Sequence, residues 1–464
     1  MKKKISRIVS LLLICTLVLT ACGRDNDKNN TQNQNNENTA PNTNASTVKE
    51  IYFLNFKPEI ADKYKEIAKA YESETGTKVK VVTAASGTYE QTLKSEVAKK
   101  NAPAIFQING PIGYQSWKNY CADLSNTSLY SNLTDQSLAI TEGDGVYGIP
   151  YAVEGYGIIY NNAIMQKYFA LDTKATGVAS VDEINNFATL KAVVEDMQKN
   201  KTALGIEGVF ASTSLGSGEQ WRWQSHLATV PFYYEFQGMD SANSTIITSV
   251  GTTDIQFQYS DNFKNILDLY LNNSVTDPKM LGTKSVADSM AEFALGKCAM
   301  VQNGDWAWSQ ISGVSGNTVS ENDIKFLPIY IGIEGEENQG ICIGTENYFA
   351  VNAKLSTEMQ EAAINFLEWL FSSETGKRYV VEDLGFNAPF STFTEEEKPS
   401  DPLSREVLRY LASDKQNIEW TFAGFPSDQF KNAFGDAILQ YAQGTKTWEQ
   451  VKEDVIIAWK DQTR

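Results

Sequence analysis

The first folded stretch of the chain alternates between the two periodicities of regular secondary structure. Its apolar runs predict short buried strands, and apolar side chains at i, i+3, i+4 and i+7 predict amphipathic helices between them. Gly76 follows the first helical pattern in the position of a C-terminal cap. The predicted elements are a strand over 51–56, a helix over 61–75, a strand over 78–82, a helix over 89–100 and a strand over 104–108. This β-α-β-α-β order predicts an α/β fold built on a parallel sheet with right-handed crossovers.

Polar side chains stand where two of these strands end. Asn55 closes the first strand, and Asn109 with Gly110 follows the third. Ligands of open parallel sheets bind beyond the carboxyl ends of the strands, and an amide can both donate and accept hydrogen bonds. The two asparagines are therefore candidate ligand contacts, and ordinary turn chemistry is the alternative interpretation.

The rest of the chain continues the mixture of strands and helices. Segment 147–161, YGIPYAVEGYGIIYN, is extended and aromatic, and we interpret it as one strand leading into another at a crossing between domains. A Gly-rich extended segment over 340–351 is a second candidate crossing. Segment 240–253 is rich in Ser, Asn and Thr, which predicts a surface loop. Helices are predicted over 181–200, 261–272, 288–295, 356–371, 401–413, 428–443 and 447–460, and a strand over 324–331.

Segment 302–308, QNGDWAW, places two indoles and a carboxylate behind a glycine. A sugar site needs a flat apolar ring for the C–H face of a pyranose and an acceptor for its hydroxyls, and Trp306 and Asp305 can supply both. The alternative is a core tryptophan beside an aspartate that caps the following turn. On these seven residues alone both interpretations stay open, and it is the resemblance of the neighbouring segments to a known family that implies a cleft position for Trp306 and a core position for Trp308.

Two further segments combine aromatic rings with polar side chains. Segment 217–235 holds Trp221 and Trp223 beside Glu219, and we expect one indole in the core and the other at a cleft. Glu154 lies among tyrosines, Tyr156 included, where a buried carboxylate needs partners.

The composition argues against several classes of binding partner and of catalytic site. The chain has 464 residues and a formal net charge of −17, so nucleic acid and anionic membrane surfaces are poor partners, while the length allows two domains. A single histidine, His226, argues against a histidine base or a zinc site of several histidines, and we predict no cofactor. Cys121, Cys298 and Cys342 lack metal-ligand spacing, so buried thiols are expected, with one disulfide as the alternative.

The N-terminus has the pattern of a bacterial lipoprotein. Residues 2–7 are mostly basic, residues 8–19 form an apolar run too short to span a membrane comfortably, and small residues then precede Cys22. We expect residues 1–22 to be a signal peptide whose Cys22 is diacylated, which is enough for stable anchoring. The alternative is an ordinary signal peptide with a chance cysteine. Residues 23–47 are Asn-rich and contain no aromatic residue, which predicts a disordered tether.

The order of these landmarks resembles one family, the carbohydrate class of bacterial extracellular solute-binding proteins (family 1, maltose-binding-protein-like). YGIPYAVEGYGIIYN is similar to that family's first hinge, and EFALGKCAMVQNGDWAW is similar to its motif of a helix, Gly-Lys, Ala-Met and Gly-x-Trp. GTENYFAVN followed by AAINFLEWLFSSETGKRYV resembles its second crossing. The resemblance covers residues 48–464. It implies a periplasmic-binding-protein-like fold of two α/β lobes, one formed by 48–152 and 344–390 and the other by 153–343 and 391–464, joined by a hinge with a ligand cleft between them.

Residue by residue, the resemblance implies contacts with sugar. Trp306 matches the family's stacking tryptophan, Glu154 a carboxylate near the hinge, and Asn55 an asparagine of the first strand. Glu219 and Trp221 fall where a glutamate and an aromatic ring contact sugar in the second lobe. The predicted ligand contacts are Asn55, Asn109, Glu154, Tyr156, Glu219, Trp221, Trp223, Asp305, Trp306, Glu346 and Phe425.

Some positions depart from the family or allow two interpretations. Where the family has an aromatic residue and an aspartate after the third strand, this chain has Gln107 and Gly110, so the resemblance does not extend to recognition of maltodextrin itself. Phe425 and Phe430 are candidate aromatic platforms, and core packing is the alternative for each.

The implied function is an extracellular receptor for a carbohydrate, expected to be an oligosaccharide. The lobes close over the sugar by hinge motion, and the closed protein presents it to the permease of an ABC importer. This chain contains no Walker A pattern, so a separate subunit must hydrolyse ATP. The receptor is expected to be a monomer anchored by lipid to the outer face of the cell membrane of a Gram-positive-type bacterium.

Two other classes of function remain open on the sequence. A binding protein for a polyamine or peptide would use convergent carboxylates, and Asp305, Glu154 and Glu219 could supply them. A glycoside hydrolase needs two carboxylates across the scissile bond, and the same three side chains with Glu346 could be paired in that way.

Overall fold

The computed structural model describes residues 48–85, 87–394 and 396–462. The predicted signal peptide, Cys22 and the Asn-rich tether lie outside the described residues. The strands are β1 Glu50–Asn55, β2 Lys78–Thr83, β3 Ile105–Asn109, β4 Ile140–Glu142, β5 Gly145–Pro150, β6 Glu154–Asn161, β7 Met300–Gly304, β8 Ile324–Leu327, β9 Gln339–Gly344, β10 Asn347–Val351 and β11 Gln416–Glu419.

The first sheet has the order β2-β1-β3-β10-β5-β4. Strands β1, β2 and β3 are parallel, as the alternating pattern predicts. The sheet as a whole is mixed, because β10 runs antiparallel to both β3 and β5, and β4 runs antiparallel to β5. Strand β10 follows β9 of the other sheet after only two residues, with no crossover helix between them. It therefore enters the first sheet in the direction opposite to that of β3.

The second sheet has the order β11-β9-β6-β7, and β8 also pairs with β6. All eight residues of β6 are buried, which explains why this segment reads as an almost continuous aromatic and aliphatic run. The first residues of β6 pair with the end of β9, and its middle residues pair with β7. The chain therefore passes between the two sheets three times, by residues 151–153 between β5 and β6, by residues 345–346 between β9 and β10, and by the long segment 352–415 between β10 and β11.

Helices cover both sheets. They are α1 Ala61–Thr75, α2 Tyr89–Val97, α3 Gly110–Trp117, α4 Ser128–Ser131, α5 Asn162–Phe169, α6 Phe187–Lys199, α7 Lys201–Leu204, α8 Ala228–Met239, α9 Thr245–Gly251, α10 Ser260–Asn272, α11 Val286–Ala294, α12 Trp308–Ser312, α13 Thr357–Ser372, α14 Glu374–Arg378, α15 Pro402–Leu411, α16 Asp428–Ala442 and α17 Trp448–Gln462. Within the described residues, none of them is long and apolar enough to cross a membrane.

Local hydrogen bonds explain where the predicted helices differ from the observed ones. The predicted helix 181–200 begins only at Phe187, because Asn186 and Thr189 form a capping box there. The polar segment 240–253 was predicted to be a loop but contains α9, whose first turn is capped by the Ser244 hydroxyl. Serine and threonine favour loops and helix caps alike, so their abundance does not distinguish the two.

Separate hydrophobic clusters pack on the two sheets. Phe53, Tyr64 and Phe366 lie in the cluster of the first sheet, and Tyr156 and Phe232 in that of the second. The thiols of Cys121, Cys298 and Cys342 are buried and unbridged.

Candidate functional site

A cavity of about 670 Å³ lies where the carboxyl ends of β1, β2 and β3 face the second sheet. Its volume is in the range of small-molecule sites. From the first side it is lined by Lys57, which follows β1, by Gly87, which follows β2, and by Asn109 at the end of β3. From the second side it is lined by the segment 218–226, by Trp306 and by Trp420. The cavity thus occupies the position predicted for a ligand of an open α/β sheet.

Three tryptophans and the single histidine form one wall of the cavity, which we call the aromatic wall: Trp221, His226, Trp306 and Trp420. The Trp221 and Trp306 ring centroids are 5.9 Å apart, and those of Trp306 and Trp420 are 6.3 Å apart. The His226 ring lies beside two of these indoles, with its centroid 4.7 Å from that of Trp221 and 5.6 Å from that of Trp306. Burial, with Arg222 as a second cause, lowers the pKa of His226 well below its ordinary value, so this ring is neutral.

Glycines on the strands allow two of these indoles to lie against the second sheet. A Cβ added to Gly304 would lie 2.2 Å from the Trp306 ring, and one added to Gly344 would lie 2.6 Å from the Trp420 ring. Both glycines are opposite residues of β6 in the register, Gly304 opposite Tyr156 and Gly344 opposite Glu154. The Gly-x-Trp motif therefore has a steric reason: the glycine leaves the space that the indole occupies.

Asn303 fixes the orientation of two side chains of the wall. Its Oδ1 atom accepts hydrogen bonds from Trp306 Nε1 at 2.9 Å and from Arg222 Nε at 3.1 Å. The Arg222 guanidinium in turn lies 3.8 Å from the centroid of the Trp221 ring. Arg222 opens a π-helical turn, Arg222–Leu227, that precedes α8. Such turns are frequent at functional sites.

Each cation that lines the cavity has a carboxylate partner. Lys57 Nζ lies 2.6 Å from Glu154 Oε1, with the two residues only 6% and 5% exposed. The ion pair of Arg222 with Glu219 measures 3.7 Å. Lys431 Nζ lies 3.6 Å from an oxygen of Asp428. These three pairs cancel most of the fixed charge of the lining.

The remaining carboxyl groups of the lining are shifted toward their neutral forms. Burial raises the pKa of Glu346 to about 7. Burial also raises the pKa of Glu59 and of Glu90. Since the three cations are paired and burial raises the pKa of the other three carboxyl groups, the cavity carries less negative charge than its number of carboxyl groups suggests.

Several residues that line the cavity have a buried polar atom with no hydrogen-bond partner among the described residues. These atoms are the side-chain oxygens Oδ1 of Asn109, Oε1 of Gln224 and Oδ1 of Asn347, and the indole nitrogen of Trp420. All four residues line the cavity. Buried polar groups are normally paired, so this set of acceptors and one donor suits a ligand with many hydroxyl groups.

The structure brings six of the predicted contact residues to the cavity and places the others elsewhere. The lining includes Asn109, Glu154, Glu219, Trp221, Trp306 and Glu346. Asp305 lines a second cavity instead. The indole of Trp223 is buried and donates to the carbonyl of Ser214, while Phe425 packs in the core with Phe430 and Trp459.

Asn55 and Tyr156 are also buried outside the lining. Asn55 Nδ2 donates to the carbonyl oxygen of Lys57 at 2.7 Å, so it shapes the loop that carries Lys57. The hydroxyl of Tyr156 donates to the carbonyl of His226 and holds the π-helical turn beneath the aromatic wall. Trp308, expected in the core, is partly exposed and lines the second cavity.

Sequence reasoning missed Lys57, Arg222 and Trp420 as lining residues. Lys57 had a usable signal, because it is two residues beyond the strand end that the sheet rule selects. Arg222 stands between the two tryptophans of segment 217–235 and could have been chosen with them. Trp420 had no signal, because it follows β11, a strand of four polar-rich residues that no periodicity predicts.

Comparison with known proteins agrees with this architecture. Residues 66–407 match the family described as bacterial extracellular solute-binding protein. No curated protein is similar enough in sequence to match the chain. Among solved structures, the chain is similar to the solute-binding protein RafE in complex with raffinose, with 18% identity and a TM-score of 0.66, over 89% of this chain and 100% of that one. RafE has also been described from Streptococcus pneumoniae.

Two further structures show the same fold. A chitin oligosaccharide binding protein is 19% identical with a TM-score of 0.68, over 90% of this chain and 99% of its own. A sugar transporter of Bacillus licheniformis in complex with stachyose is 18% identical with a TM-score of 0.66, over 89% of this chain and 100% of its own. These likenesses confirm the predicted fold of two α/β lobes. Since the family match spans well over half of the 464 residues, the chain belongs to the bacterial extracellular solute-binding proteins.

Proposed function

We propose that this protein is the receptor of an ABC importer and binds a neutral oligosaccharide in the cavity between its lobes. The observation that carries the proposal is the combination, in one cavity, of the aromatic wall with buried polar atoms that lack partners among the described residues. Aromatic faces bind the C–H faces of sugar rings, and the polar atoms bind hydroxyl groups. Paired cations and carboxyl groups with raised pKa values favour a neutral ligand over a charged one.

Individual residues have distinct roles in this proposal. Trp306 and Trp221 are the stacking platforms, and the ring of Trp420 supplies an indole N–H to a hydroxyl. Asn109 and Asn347 accept from hydroxyl groups on the side of the first sheet. Glu346, with its pKa raised to about 7 by burial, is partly protonated at neutral pH and can donate as well as accept.

Closure of the lobes is the proposed step that excludes water. We assign residues 48–152 with 344–390 to one lobe and residues 153–343 with 391–464 to the other. The short connections at 151–153 and 345–346 are the proposed hinges, because each passes from one sheet to the other within two or three residues, whereas the third connection, 352–415, is long and contains helices. Gly87 and Gly218 approach each other across the cavity, which supports a closed arrangement of the lobes.

Related proteins support the choice of ligand class. The solved structures similar to this chain include complexes with raffinose and with stachyose, and a chitin oligosaccharide binding protein. These ligands are uncharged oligosaccharides, which agrees with the balanced charge of the cavity.

The location of the receptor and its partners are part of the same proposal. The basic segment, short apolar run and small residues before Cys22 support a lipid anchor at that cysteine. Anchoring would hold a monomeric receptor at the outer face of the cell membrane, beside the permease that takes the sugar. Mass spectrometry of the membrane fraction tests this, because diacylation of Cys22 adds two acyl chains and Cys22→Ala should release the protein from the membrane.

A ligand screen tests the proposed function. Raffinose, stachyose and N-acetylchitooligosaccharides should be compared by thermal shift, since a ligand that binds only the native state raises the unfolding midpoint. We expect at least one oligosaccharide to raise the midpoint and to bind in calorimetry, with no hydrolysis products on chromatography. Absence of binding to every neutral oligosaccharide in a broad panel, or cleavage of the bound sugar, would contradict the proposal. The same screen should include spermidine and a peptide mixture, because preference for either would favour the non-sugar alternative.

A further inference from the structure

A second cavity of about 230 Å³ lies behind the aromatic wall. We call it the rear chamber, and its lining includes Asp305, Trp306, Trp308, Phe386, Asp401 and Ser404. It is next to the main cavity, since Lys57, Glu154 and Trp306 line both. The Lys57–Glu154 ion pair and the Trp306 indole thus form a partition between the two spaces.

Asp305 is the side chain that suggests a ligand for the rear chamber. It is 4% exposed, and its Oδ1 atom accepts one long hydrogen bond, 3.3 Å from the backbone nitrogen of Gly155. Its other carboxylate oxygen has no hydrogen-bond or ion-pair partner in the described part of the chain. A buried carboxylate with so few contacts requires a proton or a cation.

Asp401 is the second carboxylate of the rear chamber without a cation in contact. Its Oδ1 atom caps α15 by accepting from the backbone nitrogens of Leu403 and Ser404, at 2.8 and 3.0 Å. Arg405 is the nearby cation, and its guanidinium donates instead to the carbonyl of Ser400. Burial raises the pKa of Asp401 to about 6, and burial followed by repulsion from Glu154 and Asp401 raises that of Asp305.

The other carboxylates of the lining are already paired or exposed. Glu154 binds Lys57 at 2.6 Å, and Glu59 lies 3.9 Å from the same ammonium. Asp383 pairs with Lys63 at 2.8 Å and Glu382 with Arg378 at 3.6 Å. Glu321 is exposed. The carboxyl groups of the lining that are buried and have no cation in contact are therefore Asp305 and Asp401.

Size and aromatic walls indicate the chemistry of a suitable cation. A water molecule occupies about 30 Å³ of liquid, so the rear chamber has room for a group of several atoms. Two of its rings already face a cation, because Lys57 Nζ lies 5.6 Å from the Trp306 ring and 6.0 Å from the Phe386 ring. Carboxylates beside aromatic rings suit an ammonium attached to carbon.

We propose that the rear chamber binds an organic ammonium group, held by the carboxylates of Asp305 and Asp401 and flanked by the rings of Trp306, Trp308 and Phe386. The ammonium can belong to a free amine or to an amino sugar that reaches past the partition from the main cavity. This site does not depend on the proposed binding of a neutral oligosaccharide.

The test uses the whole protein and two pairs of matched compounds. Putrescine is compared with 1,4-butanediol, which has the same chain with hydroxyl groups in place of amines. Chitobiose with free amines is compared with its N,N′-diacetyl form. In thermal shift and calorimetry we expect the amine of at least one pair to bind and its neutral partner to bind about tenfold more weakly or not at all. Putrescine binding identifies a free amine as sufficient, and binding of the amino sugar alone indicates an ammonium carried by the sugar.

Variants locate the site. Asp305→Asn and Asp401→Asn should each weaken amine binding by about tenfold, and the second keeps the helix cap because asparagine caps as well as aspartate. If Asp305→Asn does not fold, the effect of Asp401→Asn on amine binding tests the proposal by itself. Trp221→Ala, in the main cavity only, should leave putrescine binding unchanged while it weakens oligosaccharide binding. Failure of the wild-type protein to prefer either amine, or unchanged amine binding in Asp401→Asn, would overturn the proposal, whatever the result with neutral sugars.

Discussion

Trp306 lies so closely over Gly304 that a Cβ atom at position 304 would be 2.2 Å from carbon Cη2 of the indole. The same indole is fixed at its other end by the 2.9 Å hydrogen bond from Nε1 to Asn303. The platform is therefore positioned by the strand that precedes it, and not only by its neighbours in the aromatic wall.

Gly304→Ala should displace the Trp306 ring and break its hydrogen bond to Asn303. Because the platform would lose its orientation, we expect oligosaccharide affinity to fall about tenfold, about 1.4 kcal/mol, in titration calorimetry. Gly238→Ala is the control, since its added Cβ meets no heavy atom of the described residues within 4 Å. An unchanged affinity in Gly304→Ala would show that the ring position does not matter for binding.

Trp306→Ala should lower oligosaccharide affinity by at least about tenfold, about 1.4 kcal/mol, because it removes the proposed stacking surface. The protein should remain folded, since Trp306 is only partly buried. Trp308→Ala is a matched control two residues away: this ring lines the rear chamber and not the main cavity, so oligosaccharide affinity should stay close to that of the wild type. Equal losses in both variants would argue against a specific role for Trp306.

Lys57→Met should destabilise the protein, because it leaves the buried carboxylate of Glu154 without its cation. Breaking a buried ion pair from one side costs about 3–5 kcal/mol, which urea unfolding can measure. The double variant Lys57→Met with Glu154→Leu should recover most of that loss. Lys191→Met breaks an exposed pair with Glu195 on α6 and should cost less than about 1 kcal/mol. Similar losses in the two single variants would mean that burial of the Lys57 pair is unimportant.

Gly87→Ala should weaken ligand binding by opposing the approach of the two sides of the cavity. Its φ is +70°, and an added Cβ would lie 3.0 Å from Cα of Gly218. Gly76→Ala carries the same conformational strain, with φ +76° and no heavy atom of the described chain within 4 Å of its added Cβ. Both variants should lose similar stability, and only Gly87→Ala should lose affinity, by about threefold to tenfold in calorimetry. A loss of affinity in both would attribute the effect to strain alone.

Stability should depend on pH through Glu346. Burial raises the pKa of this carboxyl from an ordinary 4.5 to about 7, so between these values the folded protein binds the proton and the unfolded chain releases it. The contribution of Glu346 to the unfolding free energy is therefore largest below pH 4.5 and is lost as pH rises toward 7, by at most about 3 kcal/mol. Glu346→Gln should remove this decline relative to wild type in denaturant unfolding at several pH values. Glu361→Gln, on an exposed position of α13, should leave it unchanged.

Local patterns were sufficient for many of the elements and for part of the candidate site. The helix predicted over 61–75 has those bounds in the structure, because an apolar stripe and a glycine cap are both encoded locally. Ligands of open α/β sheets bind beyond the carboxyl ends of the strands, which predicts a site at the loops after β1 and β3, and the cavity lies there. The prediction of Trp306 rests on its match to the family's Gly-x-Trp motif. The structure gives this motif a steric basis within three consecutive residues, because the indole occupies the space over Gly304.

Only the tertiary structure decided which side chains share a surface. Trp221 and Trp223 are equivalent in sequence, yet a π-helical turn places the first in the aromatic wall and the second in the core. Lys57 and Glu154 are 97 residues apart in the chain and form a buried ion pair because the ends of β1 and the start of β6 meet. Asp305 is the middle residue of the Gly-x-Trp motif, next to Trp306, but lines the rear chamber and not the main cavity. The sequence determines periodicity, caps and motifs, which depend on neighbours along the chain; partners across the cleft depend on how the two sheets pack.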